Sequence, residues 1–128
     1  MSVEFTMLLY SVALTFVLIM IPATISLRAN GMPVAAGSRD DCAEPSTYCK
    51  RTLRLRDNMF ENMLLFAPVV LMAAAMDVSN ATTVLGAQMF FYARVGHAVV
   101  YLGGWPWIRT ALWAVGLVGT VMIAIELL

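Results

Sequence analysis

Charge is what this sequence has least of. Only 12% of its 128 residues are Asp, Glu, Lys or Arg, about half the roughly 25% usual in soluble domains. So small a polar complement cannot cover one domain's apolar surface, and a water-soluble fold is excluded as the default. Eight basic and eight acidic residues cancel. With no basic surplus to neutralise phosphates, a nucleic-acid partner is not expected. Histidine occurs once and cysteine twice. The single imidazole lacks a second ligand at metal spacing, and Cys42 and Cys49 match neither a zinc pair nor a CxxC redox motif, so no metal site is expected. No GxSxG, P-loop or dinucleotide fingerprint is present. Met1–Glu4 has no Lys or Arg, so the positive n-region of a cleaved signal peptide is missing and the first apolar run is expected to be retained.

What the chain has instead is apolar length. Hydrophobic residues make up 61%, and mean hydropathy is +0.81. At about 1.5 Å rise per residue, the uncharged run Phe5 to Leu27 spans a hydrocarbon core of about 30 Å. Further runs follow at about 57–76, 81–102 and 107–128, separated by the short connection Asp77 to Asn80 and by the breakers Gly103, Gly104 and Pro106. The reading is an all-α membrane protein, a single four-helix transmembrane domain over 1–128 with one long loop, 28–53. Asn80-Ala81-Thr82 fits a glycosylation sequon but sits in too short a turn for that use.

Basic residues orient the spans. Arg28, Arg39, Lys50, Arg51, Arg54 and Arg56 lie between the first two, and Arg109 follows the last turn. Both termini are therefore expected on the non-cytoplasmic side and the loop in the cytoplasm, with Trp105 and Trp107 in the interfacial belt. Asp40, Asp41 and Glu44 give that loop an acidic patch. On the cytoplasmic side its two thiols are expected to be free.

Polar groups inside apolar spans carry the functional signal, because a mid-bilayer charge costs about 2.5–3.5 kcal/mol even on lenient scales. At about 100° per residue, Arg94, His97 and Tyr101 share one face of the third span. Arg51, Arg54, Asn58 and Glu61 share a face of the second. One account is purely structural, with Glu61 pairing Arg94 and Asn58 bridging the helices. That leaves positive charge over, since Arg51, Arg54, Arg94 and Arg109 outnumber the carboxylate. An anionic guest balances them, with Tyr101 and Thr110 as hydroxyl donors.

Arg54-x-x-x-Asn58-x-x-Glu61, followed by Ala93-Arg94-Val95-Gly96-His97-x-x-x-Tyr101-Leu102-Gly103 and Arg109-Thr110, resembles the membrane-associated proteins in eicosanoid and glutathione metabolism (MAPEG). The resemblance extends over nearly the whole chain. It implies a homotrimer of four-helix subunits that binds glutathione between neighbours at the cytoplasmic face. Arg28, Arg54, Asn58, Glu61, Arg94, His97 and Tyr101 would form the glutathione site, with Arg94 pairing Glu61. Arg109 and Thr110 would stabilise the sulfur for attack on a lipophilic second substrate from the bilayer. Asp57 departs from the pattern, standing where relatives often carry Arg. A membrane glutathione transferase or peroxidase is the leading expectation. The alternative is a non-catalytic scaffold or accessory subunit binding glutathione or an anionic lipid.

Overall fold

The computed structural model describes residues 1–33, 37 and 46–128. These form four helices, α1 (Val3–Asn30), α2 (Thr47–Ala75), α3 (Ala81–Gly103) and α4 (Pro106–Glu126), so the fold is all-helical as expected. Arg39, Asp40, Asp41, Cys42 and Glu44 lie outside the described residues. Three helices, α1, α2 and α4, are long and apolar enough to cross a membrane. The third, α3, has 23 residues but is not among them. Gln88, Arg94 and His97 interrupt its apolar run.

Local chemistry sets the helix ends. Ser2 Oγ accepts from Phe5 N at 3.2 Å, and Ser46 Oγ from Cys49 N at 3.1 Å, each an N-cap that satisfies a first-turn donor. Asn80 and Thr83 make a reciprocal capping box at the start of α3. Asn80 is thereby occupied as a cap, and its side-chain amide also donates to Glu126 Oε2 at 2.8 Å. Pro106 opens α4 at its first turn, where a missing N–H costs nothing. The sequence placed the second span at about 57–76, but α2 starts at Thr47. Its early turns are too polar to read as a span, yet they bury Cys49, Thr52 and Leu55 at helical spacing. Cys49 is a buried free thiol.

The helices run antiparallel in sequence order. Glu4 at the start of α1 meets Ser79 and Thr83 at the α2–α3 turn. The C-terminal end of α1 therefore lies with the beginning of α2, the end of α3 and the beginning of α4. In cross-section α2 and α3 form the middle, and α1 and α4 flank them without touching each other among the described residues. Met7, Leu18, Leu55, Met59, Phe66, Phe90 and Ile123 belong to one continuous core. Phe66 and Phe90 stack at its centre, ring centroids 3.8 Å apart.

At the α3–α4 crossing the two backbones come into direct contact. A Cβ placed on Gly86 would lie 2.6 Å from the Gly119 carbonyl oxygen, so only glycine lets the two backbones meet. One turn along α4, Gly116 lies against the stem of Arg94, whose Cδ would meet an added Cβ at an ordinary contact distance of 3.4 Å.

Candidate functional site

Polar side chains from α2, α3 and α4 converge at the end of the bundle shared by the start of α2 and the end of α3. Arg94 is its innermost member, a residue only 1% exposed. Its Nη2 donates to Asn58 Oδ1 at 2.6 Å. Asn62 supports that acceptor from one turn further along α2, donating to the Asn58 carbonyl oxygen at 2.8 Å and to Oδ1 at 3.4 Å. The other two nitrogens of Arg94, Nε and Nη1, are buried and have no partner among the described residues.

The expected Arg94–Glu61 pair does not form within the chain. Glu61 is exposed, and Asn58 takes the guanidinium instead. Helix rotation explains the difference. Glu61 lies about 100° round α2 from the buried Asn62, away from the stripe that faces α3, whereas Asn58 lies only about 40° from it. Sharing a sector with Asn58 did not put Glu61 on the inward side of it.

Nearer the end of the bundle, Tyr101 stands between two arginines. Arg54 Nε donates to its hydroxyl at 3.3 Å, and the Arg109 guanidinium lies 5.0 Å over its ring, within cation–π range. His97 packs one turn away, 5.6 Å from Tyr101 between ring centroids. Its Nδ1 is buried and without a partner among the described residues. Arg51 Nη1 reaches the Leu102 carbonyl oxygen at 3.4 Å, tying α2 to the last turn of α3.

Arg54, Asn58, Arg94, His97, Tyr101 and Arg109 are thus brought together. Three expected members stand apart. Arg28 is at the same end on α1, exposed and with no described contact to the group. Glu61 faces outward. Thr110 is exposed, and its hydroxyl donates back to the Pro106 carbonyl oxygen at 3.1 Å. Sequence reasoning missed Asn62, although an amide four residues beyond Asn58 in an apolar run is a readable signal. Asp57, the departure from the family pattern, is paired with its neighbour Arg56 at 2.9 Å on the surface.

The electrostatic result is unbalanced. Among the described residues, no carboxylate lies within ion-pair distance of Arg51, Arg54, Arg94 or Arg109. Their donors reach amide, hydroxyl and carbonyl oxygens or an aromatic face, so the group retains a positive field and unused N–H groups. Such a cluster suits an anion with several acceptor atoms.

A four-helix membrane fold with a basic cluster at one end defines a class of small integral membrane proteins. Residues 5–128 match the MAPEG family model. The protein belongs to the MAPEG family, and membership fits a glutathione-related transferase, peroxidase or accessory role. No curated protein and no solved structure matches the chain.

Proposed function

We propose that the protein is a membrane glutathione-dependent transferase, or peroxidase, working as a homotrimer on lipophilic electrophiles that arrive through the bilayer. The observation carrying this reading is the guanidinium cluster that meets no carboxylate among the described residues, with two donor nitrogens of Arg94 buried and unpaired there. Glutathione brings carboxylates and carbonyls to such donors. Arg54, Asn58, Arg94, His97 and Tyr101 are the residues assigned to hold it. Arg28 and Glu61 join at a subunit boundary, which suits their exposure in the single chain. The site faces the cytoplasm, both termini lie on the other side, and residues 1–128 act as one transmembrane domain in which α3 spans the bilayer along with α1, α2 and α4.

An ordinary thiol has a pKa of about 8.5, so a cation beside the sulfur raises the thiolate fraction and with it nucleophilicity. Arg109 is the residue assigned to that task. It lies on α4 against Tyr101, its charge uncompensated by any carboxylate among the described residues. Thr110 assists only after exchanging its bond to Pro106 for one to the sulfur. Because Asp57 is held by Arg56, its negative charge is partly neutralised beside the position where a glutathione carboxylate would otherwise meet repulsion.

The test is conjugation of an aryl halide and reduction of a lipid hydroperoxide by purified protein in nanodiscs, with glutathione titrated calorimetrically in parallel. Turnover that falls in Arg109→Ala, with glutathione affinity falling in Arg54→Ala, supports the reading. Saturable binding without turnover on either substrate class leaves the accessory role. No glutathione binding at millimolar concentration overturns the site assignment.

A further inference from the structure

Asn62 is the buried amide that the glutathione reading leaves without a task. It sits in the inward stripe of α2 with Leu55, Met59 and Phe66 and is only 6% exposed. Asparagine is a poor helix former, and a buried amide contributes to stability only so far as its hydrogen bonds offset its desolvation. A leucine of the same branched shape would not carry that cost. The bonds of Asn62 run to one residue, Asn58: Nδ2 donates to the Asn58 carbonyl oxygen at 2.8 Å and to Oδ1 at 3.4 Å.

Asn58 Oδ1 is therefore met by two donors, Asn62 from its own helix and Arg94 Nη2 from α3 at 2.6 Å. An amide oxygen has two lone pairs, and both are taken. Turning the Asn58 amide over would set its own N–H groups against those donors, so its orientation is fixed from two sides. The planar group then directs Nδ2 away from Arg94. Asn58 is half-buried, and its Nδ2 is neither buried nor bonded among the described residues. What the Asn58 side chain offers a guest is N–H donors and no acceptor.

The two holds differ. Arg94 reaches Asn58 from another helix and is itself assigned to the guest, so a carboxylate drawn to its guanidinium competes with Oδ1 for it. Asn62 lies one turn along the same helix and keeps its hold whether Arg94 is engaged or not. We infer, resting on the glutathione reading, that Asn62 is a positioning residue. It keeps the Asn58 oxygen turned inward while the tripeptide takes up Arg94, so that Asn58 receives an oxygen of glutathione and refuses its amino and amide N–H groups.

Two variants of the full chain in phosphatidylcholine nanodiscs separate positioning from packing. Asn62→Leu removes both bonds. Asn62→Thr restores the one to the Asn58 carbonyl, as the hydroxyls of Thr110 and Thr120 reach carbonyls four residues back, but not the one to Oδ1. Both should raise the glutathione Kd about tenfold, the order expected for one hydrogen bond, and leave kcat at saturating glutathione unchanged. Wild-type affinity in Asn62→Thr, or a fall in kcat without a change in Kd, overturns the inference. Asn58→Asp keeps an acceptor for Arg94 and Asn62 but turns an oxygen to the guest. It should weaken binding about 100-fold, as for a bond to a charged group, without lowering the thermal midpoint; wild-type affinity there also overturns the inference. Orientation is read without glutathione from the Asn58 side-chain signal in NMR spectra of isotope-labelled asparagine. That signal should be single in the wild type and in Arg94→Met, and split or broadened in the Arg94→Met, Asn62→Leu double variant. A signal already split in Arg94→Met overturns the inference. A wild type that binds no glutathione overturns the functional reading, and the spectra alone then decide whether Asn62 holds Asn58.

Discussion

Among the described residues, Arg94 at one end of the bundle keeps two buried donor nitrogens without acceptors, and Glu4 at the other keeps a buried acceptor oxygen without a donor. The surroundings differ as much as the sign. Arg94 is met by long side chains and amides from neighbouring helices, with Asn58 relaying to Asn62 and Tyr101 placed between Arg54 and Arg109. Glu4 is met by two short hydroxyls fixed in the α2–α3 turn and in the first turn of α3. The arginine donors come from α2, α3 and α4, whereas Ser79 and Thr83 sit four residues apart at the α2–α3 turn and the first turn of α3. The comparison teaches that the basic end is assembled from side chains on three helices, whereas the acidic end is tied at a single turn.

The largest expected effect tests the basic end alone. Arg109→Ala should lower the conjugation rate by about 100-fold or more, the usual cost of removing one donor from a developing anion, with an unchanged thermal midpoint. An unchanged rate would remove Arg109 from the chemistry. Asn58→Ala should cost about 1.5–3 kcal/mol of stability, because it takes from a buried cation its hydrogen-bond acceptor among the described residues. Arg94→Met should cost much less or be neutral, since an apolar side chain of similar volume leaves no buried charge behind. Denaturant titration of the two variants checks the pair. Equal losses would make Arg94 a structural tie and narrow the contrast between the ends.

At the acidic end, Thr83→Val removes one of the two donors to Glu4 Oε1 and half of the Asn80 capping box. The expected loss is about 1–2 kcal/mol, read as a lower unfolding midpoint. The smallest effect has the opposite sign. Asp77→Gly should stabilise by about 1 kcal/mol by relieving the left-handed backbone. A destabilised Asp77→Gly would mean that this carboxylate already makes a contact worth more than its strain.

Much of the basic end was legible because its spacing is local to each helix. Arg94, His97 and Tyr101 fall on one face at about 100° per residue, and α3 does present them together. The same arithmetic misjudged Glu61, since a sector shared by Asn58 and Glu61 does not say which flank meets the neighbouring helix. That is decided by the buried stripe through Leu55, Met59, Asn62 and Phe66. The start of α2 was hidden by polar turns that are helical without being lipid-like. The acidic end was not legible at all. Glu4 finds Ser79 and Thr83 only after the first helix pair has folded back, and no local period announces a contact across that distance in the chain. Asn80, set aside as a sequon because its turn is so short, proves to be the N-cap of α3.

The glycine crossing between α3 and α4 has a bearing on distant chemistry. With Gly86 and Gly119 backbone to backbone, α4 has no slack to slide along α3. A one-residue slip, about 1.5 Å, would drive a side-chain carbon into a carbonyl. The axial offset between Arg109 on one helix and Tyr101 on the other is therefore gauged at a point about three helical turns from the arginine and about four from the tyrosine, like the spacing of two blades set by their rivet. Enlarging either glycine would detune the alignment of the arginine without touching it.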